Sequence, residues 1–360
     1  MVVAGTRPET IKMAPLIKRL LDRRIRTTFV HTGQHFDYEM GLRFIHELNL
    51  PHPEYSFRLR SNRPASQTAE IMLRLEKVID HRRPNLVLIQ GDTNSMLASA
   101  LTGVRMMIPV GHVEAGLRSY DWRMPEEHNR RMVDHVSDHL FAPTRISKMN
   151  LLREKVIGKI YVVGNTVIDS INQYLPKAEK ESNILSSVPF SEYVLVTLHR
   201  QENVDDLRVL RNLVDALIRS SNPIVFPVHP RTQQRLKKAS LWTKISEARN
   251  IRILPPVGYL DFLILMKHCR IIASDSGGVQ EEATSPKIRK HVLILRDSTE
   301  RPEAVTGGFA TLVGTKYPAI LKALRKFWGE RPESSRLSPF GDGRAAMRIA
   351  RIVADCLRGG

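Results

Sequence analysis

Short apolar runs that stop at an acid, a histidine or a glycine-containing turn, and pass straight into a helical pattern, recur along this chain and restrict it to an α/β fold. Ile108–Val113 ends in Glu114, Asn85–Gln90 in Gly91-Asp92, and Ile271–Ala273 in SDSGG. Tyr193–His199 and Pro223–Pro230 carry His199 and His229 at their ends. Such runs read as continuously apolar rather than alternating, the mark of strands buried on both faces, and strands that alternate with helices build parallel sheets. Ligands of such sheets bind beyond the carboxyl ends of the strands, where these polar residues fall. The pattern makes two series, and 360 residues allow about two domains. The expectation is two doubly wound, Rossmann-like domains, 1–166 and 167–344, with a site in the cleft between them. Residues 51–65, with their prolines, read as a long loop, and the mixed polar stretch 176–191 as an interdomain segment.

The densest chemistry lies in VGHVEAGLRSYDWRMPEEHNRR, Val110 to Arg131. Glu114 follows a buried strand directly, and a charge there needs a partner or a ligand. Pro125, Glu126 and Glu127 open a helix, since proline suits the first helical position and acids offset the helix dipole. Glu126 can therefore approach Glu114. Glu127 reads as a helix-opening residue paired with Arg130 and Arg131 at helical spacing. Asp92 is either the N-cap of the next helix or a ligand group, and the two roles are compatible. In GTRPETIK, Arg7 and Lys12 lie where an anion at a helix N-terminus would be met. Ser276, Gly277 and Gly278 form a strand-to-helix turn whose amides and hydroxyl suit a phosphate.

Other classes lack their signatures. The first turn is not GxGxxG, so no nicotinamide or flavin cofactor is implied, and GxSxG is missing around Ser276. His128, His135 and His139 come without HExxH and read as ordinary surface or interface residues; His112-Val113-Glu114 lacks the PCxxC half of a zinc deaminase. No metal is expected. The net charge of +18 is spread along the chain without a nucleic-acid-binding motif, so it reads as solvated surface with a minority of cations drawn to an anionic ligand. Cys269 and Cys356 read as packing residues. No run approaches the roughly 20 apolar residues of a membrane span and no secretory signal is evident, so a cytoplasmic protein without a membrane partner is expected. The first strand is short for a central one, so the expectation is that either a few native residues ahead of Met1 are missing or the start was assigned late.

GTRPETIKMAPL, QGDTNS, GHVEAGLRS with MPEEHNRR, GNTVIDS, LHRQEN, SDSGGVQEEA and RDSTERPEAV, in this order and almost end to end, resemble the non-hydrolysing UDP-N-acetylglucosamine 2-epimerases. The resemblance implies the GT-B fold, with the helix 345–360 returning to the first domain. It implies anti elimination of UDP from UDP-N-acetylglucosamine to a 2-acetamidoglucal, followed by re-addition, without external cofactor. Asp92, Glu114 and Glu126 match the family's catalytic acids and His199 its histidine; which acid takes the carbon 2 proton stays open. Arg7, Lys12, Ser276, Gly277, Gly278, Glu282 and Arg301 match its nucleotide-sugar contacts, Ser276–Gly278 facing pyrophosphate and Glu282 ribose, with Phe262 near uracil. A homodimer is expected. Gln34 and His35 are candidates to line a second substrate site. The chain departs from the family at TSPKIRKH, 284–291, which is longer and more basic. The competing readings are a hydrolysing 2-epimerase, a GT-B glycosyltransferase, and a nucleotide-sugar-binding protein without turnover.

Overall fold

The computed structural model describes residues 1–34, 44–330 and 337–358, so His35 lies outside the described residues. The chain divides into two compact units, Met1–Ser170 with Phe340–Gly360, and Ile171–Pro339. The first holds a parallel sheet of β1 (Val2–Ala4), β2 (Phe29–His31), β3 (Tyr55–Ser56), β4 (Val87–Gln90), β5 (Val110–Val113), β6 (His139–Ala142) and β7 (Lys159–Val162), in the order β3-β2-β1-β4-β5-β6-β7. The second holds β8 (Val194–Thr197), β9 (Ile224–Pro227), β10 (Ile251–Leu254), β11 (Ile271–Ser274), β12 (Val292–Ile294) and β13 (Ala310–Leu312), ordered β10-β9-β8-β11-β12-β13 and again parallel. Strand order reverses between β1 and β4 and between β8 and β11. These are the switch points at which open α/β sheets leave a crevice for a ligand.

Burial explains the strand choice. Val3, Val30, Val87, Ile89 and Val110 pack with Ile71 and Leu75 of the helix Pro64–Arg82 in one core. In the other, Val194, Val196, Ile224, Phe226, Ile271 and Ala273 pack with Leu213 and Leu217 of the helix Leu207–Arg219. Burying one such aliphatic side chain contributes about 1.5–3 kcal/mol.

Three elements differ from the sequence expectation. The loop 51–65 contains the two-residue strand β3, held by the amide of Phe57 on the His31 carbonyl at 2.9 Å. The stretch 176–191 does not begin as a linker: the helix Thr166–Glu181 runs on through Pro176, and a single turn of 3-10 helix follows at Ile184–Ser187. The edge strand β13 and the helix Tyr317–Gly329 behind it were not anticipated. In the first unit, Asp169 accepts the amides of Ala345 at 3.1 Å and Ala346 at 3.0 Å, and so caps the helix Ala345–Arg358. Burial pushes the Asp169 carboxyl up to about 6 against those two bonds.

Candidate functional site

In the first unit the polar residues gather at the ends of β1, β4 and β5. Glu114 is buried, and its Oε2 accepts from Lys12 Nζ at 2.5 Å and Gln90 Nε2 at 2.7 Å. The expected anion for Lys12 is thus, in this structure, a carboxylate of the chain itself. Glu114 has a φ of 75°, in the left-handed region, while its own amide and that of Ala115 donate to the Phe141 carbonyl at 3.0 and 3.2 Å. A non-glycine residue in that region stores strain, and such residues cluster at functional sites.

Asp92 follows β4 next door. Its carboxylate oxygen Oδ2 takes Arg130 Nη2 at 2.5 Å, and its carbonyl takes Asn129 Nδ2 at 2.9 Å. The N-cap is not Asp92 but Thr93, whose hydroxyl accepts the Met96 amide at 3.4 Å. Asp92 is therefore released from capping and points its carboxylate at an arginine. Glu126 stands half-buried in the first turn of the helix Pro125–Val136. Glu127 is fully buried and pairs with Arg130 at 2.9 Å and Arg131 at 3.1 Å, as its spacing suggested. It also takes the amide and hydroxyl of Ser119, each at 2.9 Å. Burial pushes the Glu127 carboxyl up, but the Ser119 donors and Arg130 outweigh it and hold it below the ordinary range. Glu127 is thus a buried support for the arginine that holds Asp92.

Glu9 belongs to this group and was not anticipated. It is the N3 residue of a capping box with Thr6, and its Oε2 accepts the amides of Gly5 at 2.6 Å and Thr6 at 3.2 Å. Its other oxygen takes the hydroxyl of Thr93, next to Asp92. Burial pushes its carboxyl up to about 7, against those three donors, with the Asp92 charge adding to the rise. The TxxE spacing of Thr6 and Glu9 was a visible signal for the cap, although not for the contact with Thr93. Arg7 is exposed, its guanidinium 5.1 Å from the Phe44 ring centre. Gln34 is engaged with the amide of Ser95 at 2.9 Å and its hydroxyl at 2.7 Å.

The second unit places its polar residues beyond β8 and β11. His199 Nδ1 lies 3.3 Å from Asp275 Oδ1, and the fully buried Asp275 also accepts the amides of His199 and Arg200, each at 3.0 Å. Desolvation lowers the His199 pKa, against the pull of Asp275. The Asp275 contact orients the ring through Nδ1, the arrangement that frees Nε2 for chemistry. His229, at the end of β9, has its ring centre 5.8 Å from that of His199, and its Nδ1 accepts the Arg231 amide at 3.2 Å.

Arg301 is buried, with Nε 3.0 Å from Glu281 and a close contact to Glu300, which also takes Arg296 at 2.8 Å and Arg200 at 3.3 Å. These partners set Arg301 under the turn 276–278: a Cβ at Gly277 would stand 2.5 Å from its Nη1. At Gly278 a Cβ would meet nothing nearer than Ser276 Oγ at 3.9 Å, so the backbone there is open to a ligand. Ser276 is half-buried, Glu282 buried, and Phe262 half-buried on the helix Tyr259–His268. Glu281 and Glu300 were missed because nothing in their spacing separates a buried acid from a surface one. Among the described residues no helix is long and apolar enough to cross a membrane, and no His/Cys/Asp/Glu cluster could hold a metal.

Comparison with known proteins places this geometry in a family. The UDP-N-acetylglucosamine 2-epimerase family matches residues 18–354. The UDP-N-acetylglucosamine 2-epimerase of Methanocaldococcus jannaschii is 44% identical over 361 residues, covering 98% of each chain. Its crystal structure in complex with UDP-GlcNAc and UDP superposes with a TM-score of 0.91, at 43% identity and 98% of each chain. A Pseudomonas aeruginosa UDP-2,3-diacetamido-2,3-dideoxy-D-glucuronate 2-epimerase is 36% identical, covering 98% of this chain and 99% of that protein. The two doubly wound parallel sheets are those of the GT-B type. With a family match over nearly its whole length and relatives alike from end to end, the chain belongs to the UDP-N-acetylglucosamine 2-epimerase family, whose members are isomerases.

Proposed function

We propose that this protein interconverts UDP-N-acetylglucosamine and UDP-N-acetylmannosamine by anti elimination of UDP to a 2-acetamidoglucal and re-addition, with no external cofactor. The observation that carries the reading is the pair of acids at adjacent strand ends, each held by its own cation: Glu114 by Lys12 at 2.5 Å and Asp92 by Arg130 at 2.5 Å. Inversion at carbon 2 requires a proton to leave one face and return to the other, so it needs two acid–base groups. Asp92, Glu114 and Glu126 supply them. As the carbon 2 proton leaves, the bond from carbon 1 to the UDP oxygen breaks, and negative charge grows on the pyrophosphate. His199, Arg301 and the amides of Ser276 to Gly278 are assigned to that charge. Glu282 is assigned to ribose, Phe262 to uracil, and Arg7 to the nucleotide sugar.

The sugar is taken as N-acetylglucosamine because the more similar relative acts on it, whereas the Pseudomonas relative carries a different sugar in its name. A homodimer in the cytoplasm goes with the reading, and light scattering of the purified protein tests the dimer. The activity test is incubation with UDP-N-acetylglucosamine and no added cofactor, with products separated by ion-pair chromatography. UDP-N-acetylmannosamine with UDP retained supports the proposal; free N-acetylmannosamine with UDP would make the enzyme hydrolytic. Turnover of only the diacetamido-glucuronate nucleotide would reassign the sugar.

A further inference from the structure

Buried in the first unit, behind the turns that carry Asp92 and Glu114, is a histidine-carboxylate pair that is assigned no contact with substrate. His112 on β5 and Asp134 on the helix Pro125–Val136 are both fully buried, with Nδ1 to Oδ1 at 2.7 Å. The other ring nitrogen, Nε2, lies 2.9 Å from the Gly91 carbonyl, one residue before Asp92. The two ring nitrogens thus each meet an oxygen, one of a carboxylate and one of a backbone carbonyl. Asp134 Oδ2 in turn takes the Gly116 amide at 3.1 Å and Arg118 Nη1 at 2.8 Å. Gly116 has a φ of 85° and closes the turn that begins at Glu114.

The same pair closes a ring of charges. Arg118 passes from Asp134 to Glu154, with contacts of 2.9 and 2.6 Å; Arg131 joins Glu154 at 2.7 Å to Glu127 at 3.1 Å; Arg130 joins Glu127 at 2.9 Å to the Asp92 carboxylate at 2.5 Å. The chain of contacts leaves the Asp92 turn at its backbone and returns to it at its side chain. Stability alone does not call for such an arrangement, because a buried ion pair is often no better than apolar residues of the same volume. What apolar residues could not do is hold two turns in register by directed bonds.

We propose that His112 and Asp134 are positioning residues for the epimerase reaction, tying the turn that carries Asp92 to the turn that carries Glu114 so that the two acids keep a fixed separation. This rests on the function proposed above. Neither residue is assigned a contact with substrate. Their effect is on the rate of the chemical step, since misplacing a reacting group by about 1 Å can cost about 100-fold.

Two substitutions cut the tie at different ends. In His112→Asn the amide nitrogen replaces Nδ1 and keeps Asp134 while dropping Gly91; in His112→Gln it replaces Nε2 and keeps Gly91 while dropping Asp134. Asp134→Asn is the third variant, and the two His112 variants decide the matter should it fail to fold. The expected result is a fall in kcat of about 100-fold in each folded variant, with KM within about two-fold of the parent. Folded variants with unchanged kcat, or with the loss confined to KM, would overturn the proposal. A readout independent of turnover accompanies this. Amide exchange at Gly116 should be slow in the parent and faster in Asp134→Asn. Unchanged exchange at Gly116 would also overturn the tie. If the parent does not epimerise UDP-N-acetylglucosamine, the functional reading fails by itself, and the exchange data still decide whether the tie exists.

Discussion

Glu114 combines burial, a counter-charge at 2.5 Å and a left-handed backbone. Burial of the charge and the left-handed backbone each cost free energy, the backbone about 1–3 kcal/mol, and the Lys12 counter-charge offsets the first. Removing only the cation leaves a buried carboxylate unpaired, so Lys12→Met is expected to lower stability by about 3–5 kcal/mol in urea unfolding. Adding Glu114→Gln should recover much of that loss while leaving kcat lost, and two independent, additive destabilisations would contradict the pairing. Gly277 and Gly278 separate support from ligand contact. Gly277→Ala drives a Cβ into Arg301 and should lower both Tm and UDP affinity; Gly278→Ala meets no protein atom within 3.4 Å and should weaken UDP binding with Tm unchanged. Equal thermal penalties would remove Gly278 from the phosphate site. Glu9 gives a pH signature. Its carboxyl prefers its proton in the folded state, at about 7 against 4.5, so its contribution is full below pH 4.5 and is lost as pH rises through 7. That loss is about 3 kcal/mol, and Glu9→Gln should abolish it: the parent's unfolding midpoint falls between pH 5 and 8 by more than the variant's. At this scale the strand-end residues Asp92, Glu114, His199 and Ser276 were legible, because a polar residue ending an apolar run has few other reasons to be there. Glu9, Glu281, Glu300 and the inward role of Lys12 were not, since they depend on which strand lies beside which.

Elements were legible in proportion to their burial. β4, β5 and β11, which follow from apolar runs, are buried at every residue, whereas β3 and β13 are edge strands of two and three residues, half-buried or partly exposed. β3 owes its place to its neighbours: the guanidinium of Arg82 lies 5.4 Å from the Tyr55 ring centre and donates to its hydroxyl at 3.0 Å. Such a contact joins residues too far apart for any local pattern to show. The helix Thr166–Glu181 continues through Pro176 into the stretch whose mixed polar composition suggested an interdomain segment, because its turns still bury an apolar face, Ile168, Ile171, Leu175 and Ala178. The cap on the helix Ala345–Arg358 is equally non-local. Asp169→Ala is expected to cost about 1 kcal/mol, with Asp169→Asn milder because it keeps an acceptor. Denaturant titration reads both, and a neutral alanine variant would mean that packing alone seats that helix.

At the scale of the whole molecule, repeated strand-helix alternation made the two parallel sheets readable without any structure, and the strand orders put the polar turns at both switch points. The net charge of +18 did not serve as a guide to function: many cations are engaged with the chain's own acids, as in the run from Arg118 to Asp92. The central claim is that carbon 2 of the sugar loses and regains a proton while UDP is retained. Proton NMR of UDP-N-acetylglucosamine with the purified protein in deuterated water tests it most directly. The account predicts UDP-N-acetylmannosamine bearing deuterium at carbon 2, with UDP still attached at equilibrium. Epimerisation with the original hydrogen kept at carbon 2 would contradict it.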